Sequence, residues 1–292
     1  MSRLRVALNA WSLVSTHTGI ASYTRNLALA LQRLGKVELN LFYGLSWSSD
    51  VRDTPVVGVD SLKVWVKRMV PKPYALMRLV QQQRFSAGVR GLRSDLYHEP
   101  SFLPFRFDGP IVITVHDLSP LHYPEAHPRA RVREVEERLP QAVQSASAII
   151  TDAEFIKSEL NQILNVDSDR VIATPLGVGP SYRPRSAAET ASALATYGLV
   201  HGNYILAVGT LEPRKNLLQA INAHAGLPQP VRTSMPLVIA GMRGWLSGDL
   251  EARIRKYEEH GEVRWLGYVP AQTLPVLYSG ARMLVYPSLY EG

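Results

Sequence analysis

The sequence predicts an α/β protein built on parallel sheets. Apolar runs of strand length alternate with amphipathic helical stretches along almost the whole chain. Several runs are apolar throughout rather than at every second residue, as strands covered on both faces must be. The 292 residues, 46% hydrophobic and 20% charged, are enough for two domains of ordinary size, each with a sizeable core. These figures exclude a disordered, collagenous or low-complexity chain.

Residues 5–10 read as the first strand, 20–34 as a helix and 37–43 as the second strand. In that helix Ile20, Tyr23, Leu27, Leu31 and Leu34 recur every three or four residues, and Gly35 follows as a stop. Further strands are expected at 111–115, 148–151, 171–174, 204–208, 237–240, 263–266 and 283–286. The stretch 179–188, GPSYRPRSAA, is rich in Pro, Gly and Ser and marks a linker between a domain at 1–178 and a second at 189–292. The second half offers four strands and stops just after the last, with no helix to cover it. The chain therefore reads as truncated inside its second domain.

The chain has no cysteine, which excludes a disulfide scaffold, a thiol nucleophile and any cysteine-bound metal cluster. The N-terminus lacks the long apolar stretch and small-residue cleavage site of a signal peptide. No window approaches the ~18 uninterrupted apolar residues of a membrane span. A cytoplasmic protein is expected, soluble or peripheral to a membrane. The net charge of +7 is concentrated at 52–93, which holds nine basic and two acidic residues. Within it Lys67, Arg68, Lys72 and Arg78 interleave with Trp65, Tyr74, Leu76 and Met77. The stretch 63–93 suits either an interfacial helix on an anionic membrane or a packed helix with a basic outer face. No nucleic-acid motif accompanies the charge.

The strongest chemical signal is Gly209-Thr210-Leu211-Glu212-Pro213-Arg214-Lys215-Asn216, between the strand at 204–208 and a helix beginning near Asn216. A strand-to-helix loop collects unpaired N–H groups and the positive end of the helix dipole. With Arg214 and Lys215 added, it suits an anion, most naturally a diphosphate; a solvated turn with two cations is the plainer reading. His116-Asp117 leaves the strand at 111–115 at its carboxyl end, where ligands bind in open α/β sheets. His98-Glu99 ends another short strand on weaker grounds. The first strand–loop–helix unit has one glycine, Gly19, where a dinucleotide fingerprint has three. His116, Asp117, His122 and His127 are split by prolines and make a poor metal set. Asp167-Ser168-Asp169 reads as a polar turn, and no metal site is expected. No nucleophile elbow, P-loop or zincin motif occurs.

The order of segments carries a resemblance. Gly19-Ile20-Ala21-Ser22-Tyr23-Thr24 is followed by Thr114-Val115-His116-Asp117-Leu118-Ser119-Pro120 and Pro175-Leu176-Gly177-Val178. The 209–216 loop, Leu266-Gly267-Tyr268-Val269-Pro270 and Tyr286-Pro287-Ser288-Leu289-Tyr290-Glu291-Gly292 complete the series. Together they resemble the retaining glycosyltransferases of family 4, in the GT-B group, and most of all its bacterial mannosyltransferases. The resemblance implies two Rossmann-like domains facing a cleft, the first for the acceptor and the second, incomplete here, for a nucleotide-sugar donor. By the same resemblance, Arg214 and Lys215 hold the donor diphosphate, and Gly209 and Thr210 belong to the donor site, with Thr210 where some members carry another arginine, so that the phosphate grip rests on Arg214 and Lys215. Glu291 contacts hydroxyls of the transferred sugar, and Tyr268 and Val269 lie near the base. Gly19, His116 and Asp117 serve the acceptor side, with His116 beside the reacting sugar. The family's second glutamate, which holds the ribose, would lie beyond Gly292.

Such a resemblance also implies metal-independent transfer of a hexose from a nucleotide sugar, with GDP-mannose the best match. The acceptor would be a glycan or lipid-linked molecule of cell-surface polysaccharide synthesis, and the only cofactor-like molecule is the donor itself. A sugar-nucleotide epimerase of the same group, or an inactive fragment that binds lipid or a partner, are the alternatives.

Overall fold

The computed structural model describes residues 3–14, 19–52 and 73–292, with the backbone alone at 73–75. The chain divides into two compact units. The first is drawn from Met1–Asp117 and Glu136–Pro175, with Gly292; the second comprises Leu118–Val135 and Leu176–Glu291. The linker-like stretch 179–188 thus falls within the second unit.

The first unit is built on a seven-stranded sheet ordered β3-β2-β1-β4-β5-β6-β7. Its strands are β1 (Leu4–Asn9), β2 (Val37–Phe42), β3 (Trp47–Ser48), β4 (Leu96–Glu99), β5 (Ile111–Val115), β6 (Ala148–Thr151) and β7 (Val171–Ala173). All pairings are parallel except that of the short β3 with β2. The chain runs from β1 outward to β2 and β3, then returns to the other side of β1 with β4. That reversal opens a crevice at the carboxyl ends of β1 and β4, the position at which doubly wound sheets bind ligands. Val6, Leu8, Leu39 and Leu41 face a common core with Ala21 and Ala28 of the helix Gly19–Leu34. An aromatic cluster of Phe42, Trp47, Phe85, Tyr97 and Phe105 covers another part of the sheet, with ring centroids 4.5–5.7 Å apart. Gly88 lets the helix Pro73–Gly91 lie against Trp47: a Cβ there would meet the indole at 2.0 Å.

The second unit has a four-stranded, wholly parallel sheet ordered β10-β9-β8-β11. Its strands are β8 (Ile205–Val208), β9 (Leu237–Ala240), β10 (Val263–Gly267) and β11 (Met283–Leu284). Alternate residues face opposite layers. Ile205, Ala207, Leu237 and Ile239 pack against Leu217, Ile221, Leu250 and Ile254 of the helices Leu217–Ala225 and Gly248–Glu258. Leu206 and Val238 pack against Leu194 and Leu277 of the helices Ala187–Ala195 and Leu274–Gly280. Cover on both faces explains why these strands are apolar throughout. Each fully buried Leu or Ile contributes about 1.5–3 kcal/mol. The strand expected at 283–286 contracts to two residues, 52% and 45% exposed, paired on one side with β8. Here the strand order reverses between β8 and β11, so the crevice of this sheet lies at their carboxyl ends.

Candidate active site

In the second unit, the chain leaves β8 into Gly209-Thr210-Leu211. The amide of Gly209 donates to Ala240 O at 3.0 Å and that of Leu211 to Met242 O at 2.9 Å. This keeps the loop flush with the one leaving β9. Two glycines permit the approach: a Cβ on Gly241 would sit 1.8 Å from Gly209 O, and one on Gly244 2.4 Å from Leu211 O. Pro213–Lys215 then forms one 3-10 turn, Asn216 takes a left-handed conformation (φ 52°), and the helix Leu217–Ala225 begins. The helix starts near Asn216 as expected, with Asn216 as its N-cap; the preceding turn buries Arg214 and sets Lys215 beside it.

Both cations meet the segment leaving β11. Arg214 donates through Nη1 to Tyr290 O at 2.7 Å and to Glu291 Oε2 at 3.0 Å, and through Nη2 to Glu212 Oε1 at 2.9 Å. Lys215 Nζ donates to Glu291 Oε1 at 2.5 Å and to the Tyr286 hydroxyl at 3.3 Å. Backbone contacts staple the two segments: Asn216 Nδ2 to Pro287 O at 3.1 Å and Leu289 N to Arg214 O at 2.9 Å. Burial alone would raise the Glu291 carboxyl, but the hydrogen bond and charge of Lys215 and the charge of Arg214 hold it at about 2. Glu212 moves the other way: burial pushes it up against the lowering charges of Arg214 and Lys215. Two cations therefore share two carboxylates, and one of these, Glu291, spans both cations.

The remaining donor-side residues separate by burial. Tyr268 follows β10 and is 44% exposed, whereas Val269 buries its side chain among Leu206, Val238 and Leu277. His122 and His127 serve packing, facing the rings of Tyr290 at 5.2 Å and Trp245 at 5.7 Å. Among the described residues, no three His, Cys, Asp or Glu side chains are grouped so as to hold a metal ion.

In the first unit, His116 leaves β5 and is held at both ring nitrogens. Nδ1 lies 2.6 Å from Asp152 Oδ2, and Nε2 lies 3.1 Å from Pro100 O. Tyr23, on the helix Gly19–Leu34, sets its ring edge-on to His116 at 4.8 Å and its hydroxyl 3.1 Å from Thr114 Oγ1. Asp117 is half-buried at the same strand exit, and Gly19 opens the helix with free space on its Cβ side. His98 is a core histidine: its Nε2 lies 3.2 Å from Thr114 Oγ1, and burial, then the neighbouring His116, bring it down to about 4. Glu99 is buried and accepts from Tyr97, Asn9 and Ser101 at 2.5, 2.7 and 2.8 Å. Asp167 caps its own turn by accepting from Asp169 N at 3.0 Å.

Asp152, Tyr23 and Glu212 are site residues that sequence reasoning missed. Asp152 leaves β6 at its carboxyl end, so the strand-exit rule that selected His116 would have selected it too. Glu212 lies inside the 209–216 loop, where the resemblance gives it no role.

Comparison with known proteins bears on both units. The model of Glycosyltransferase Family 4 matches residues 17–182, and that of Glycosyl transferases group 1 matches residues 199–292. The chain is 36% identical over 283 residues to O-antigen chain mannosyltransferase B of Escherichia coli, covering 94% of this chain and 74% of that protein. Among solved structures, sucrose-phosphate synthase from Thermosynechococcus elongatus superposes with a TM-score of 0.70 at 18% identity, covering 99% of this chain and 76% of its own. WaaG, a glycosyltransferase involved in lipopolysaccharide biosynthesis, gives 0.69 at 15% identity, covering 98% and 75%. At such identities the likeness carries the fold, which is of the GT-B type.

Proposed function

This chain belongs to glycosyltransferase family 4, and from that premise we propose that it transfers mannose from GDP-mannose to a growing, lipid-linked surface polysaccharide. The transfer proceeds with retention and without a metal ion. A relative that is 36% identical bears the name of an O-antigen chain mannosyltransferase, which supports both the sugar and the class of acceptor.

The observation that carries the reading is the pairing of Arg214 and Lys215 with one carboxylate, Glu291, at the strand-order reversal of the second sheet. Two cations beside a helix start suit a diphosphate better than a single carboxylate. In the proposed cycle the donor's diphosphate takes the place of Glu291 on Arg214 and Lys215. Glu291, released, accepts hydrogen bonds from hydroxyls of the transferred sugar. Bond cleavage builds positive charge on the sugar ring and negative charge on the leaving diphosphate. Arg214 and Lys215 stabilise the latter. The diphosphate then takes the proton of the incoming hydroxyl on the same face, so no protein nucleophile is needed. Thr210 and Gly209 shape the loop, and Tyr268 with the Val269 backbone meets the base. His116, with Asp117 and Gly19, serves the acceptor side.

The basic stretch 63–93 supports a cytoplasmic protein that rests on an anionic membrane. No described helix is long and apolar enough to cross a membrane. Of the cations named in that stretch, Arg78 is committed inside the fold. It donates to Leu103 O and Pro104 O, both at 3.1 Å, and lies over the Phe105 ring. Lys67, Arg68 and Lys72 lie outside the described residues. A screen of sugar nucleotides, scored by nucleotide release with a lipid-linked mannose acceptor, tests the function. Release from GDP-mannose above all other donors is expected. Release from a UDP-sugar instead would overturn the donor assignment.

A further inference from the structure

Glu99 ends β4 next to Asn9 at the end of β1, at the strand-order reversal of the first sheet. Its side chain is buried and gathers three donors. Oε2 accepts from the Tyr97 hydroxyl at 2.5 Å and from Asn9 Nδ2 at 2.7 Å, and Oε1 accepts from Ser101 Oγ at 2.8 Å. Such contacts satisfy a buried carboxylate, and they also fix how each partner is turned.

Tyr97 is a core partner: it is fully buried, and its oxygen accepts from Phe105 N at 3.3 Å. Asn9 and Ser101 differ, because both are half-buried at the strand exits. Asn9 Oδ1 accepts from Trp11 N at 3.1 Å, which leaves the NH2 group toward Glu99. One of its two N–H bonds meets Glu99, and the second is left to donate. Ser101 gives its single O–H to Glu99 and keeps an oxygen that can only accept. One fixed donor and one fixed acceptor are thus held by opposite oxygens of the same carboxylate. Between Glu99 and Ser101, the Pro100 carbonyl meets His116 Nε2 at 3.1 Å. All of these residues belong to the first unit.

We infer that Asn9 and Ser101 form a subsite for neighbouring hydroxyls of the acceptor sugar, with Glu99 as the positioning residue that sets its polarity. One sugar hydroxyl accepts from the Asn9 N–H, and its neighbour donates to Ser101 Oγ. A carboxylate, a phosphate dianion or a methyl ether has no proton to give Ser101, so the subsite selects for free hydroxyls. The inference rests on the reading that the first unit takes a glycan acceptor, and it does not depend on the identity of the sugar nucleotide.

Two measurements on the full chain test this. Methyl α-mannoside, added to 15N-labelled protein without any sugar nucleotide, should shift the side-chain amide signals of Asn9, which Asn9→Ser identifies by their loss. Signals that stay unmoved at the highest soluble sugar concentration overturn the subsite. The second measurement is transfer to a series of deoxy and deoxyfluoro mannosides. At the hydroxyl seated on Ser101 the wild type should lose about 3- to 10-fold in kcat/KM for either analogue, because fluorine cannot donate. Ser101→Ala should lose that discrimination and keep the donor KM; discrimination unchanged in Ser101→Ala overturns the subsite. In Glu99→Gln the amide oxygen stays with Tyr97 and Asn9, and the NH2 group turns to Ser101. Ser101 then accepts from it and directs its own O–H outward, so the fluoro analogue should gain on the deoxy one. A uniform loss across all acceptors in Glu99→Gln would overturn the positioning role, and Ser101→Ala decides the subsite if Glu99→Gln does not fold. Shifted Asn9 signals without transfer to any mannoside would leave the subsite standing and remove the proposed mannosyl transfer.

Discussion

Glu291 bridges two cations in the structure, and the bridge makes two predictions. Its carboxylate spans Lys215 and Arg214, and under the proposed function a donor diphosphate has to displace it. Glu291→Gln removes the competing charge, and charge-assisted contacts are worth about 1.5–3 kcal/mol. GDP should therefore bind the variant about tenfold more tightly while sugar transfer falls, since the amide is a weaker acceptor for sugar hydroxyls. Calorimetry beside a transfer assay checks this; weaker GDP binding would mean that Glu291 does not compete. The second prediction concerns pH. Glu291 sits at about 2 against an ordinary 4.5. A depressed carboxylate contributes stability that is present above its unfolded value and lost as pH falls through its folded value. The urea midpoint of the wild type should exceed that of Glu291→Gln at neutral pH, and the gap should close between about 4.5 and 2. At this scale Arg214 and Lys215 were legible because their chemistry and strand-exit position are both local. Asp152 was not, because its contact with His116 depends on β5 and β6 being neighbours, and strand order is not written in any local pattern. The burial of the Val269 side chain was not legible either: the motif marks the loop, and only the packed fold shows the side chain turned into the core.

Among the elements, the loops leaving β8 and β9 depend on glycine at two positions of backbone contact. Gly241→Ala forces the Cβ into Gly209 O, and overpacking of this kind costs about 1–3 kcal/mol. Chemical denaturation should show a lower midpoint for Gly241→Ala. Gly248→Ala, whose Cβ meets nothing within 4 Å at a helix start, should be neutral or slightly stabilising. Loss of stability in both would count against the Gly209 contact as the cause, since Gly→Ala by itself lowers the entropy of the unfolded chain and favours folding. The helix Ala187–Ala195 carries a capping box, in which Ser186 accepts from Glu189 N at 3.3 Å and Glu189 accepts from Ser186 N at 2.8 Å. Ser186→Ala should cost about 1 kcal/mol in the same assay. The parallel strands were legible because cover on both faces imposes unbroken apolar runs. Their ends moved by a residue or two, since apolar residues at 285 and 286 continue past the last β11 pairing. The two-residue β3 left no apolar run to read, and the grouping of Leu118–Val135 with the second unit arises from tertiary packing.

For the whole molecule, charge and fold act at different ranges. The excess charge at 52–93 should draw the protein to anionic vesicles, and that attraction should weaken steeply with salt, because the Debye length shortens to about 8 Å at physiological ionic strength. Replacing Lys67, Arg68 and Lys72 together with glutamine, and leaving Arg78 to its carbonyl partners, should abolish co-sedimentation. Unchanged sedimentation would favour a packed helix with a basic face. The central claim, that the loop after β8 grips a diphosphate, is most directly tested by titrating GDP into wild type and Lys215→Ala. Loss of one charge-assisted contact should weaken binding by about 10- to 150-fold, with Lys215→Arg restoring little because a planar fork does not replace a compact ammonium. Equal affinity of wild type and Lys215→Ala for GDP would contradict the account and remove the diphosphate from this loop.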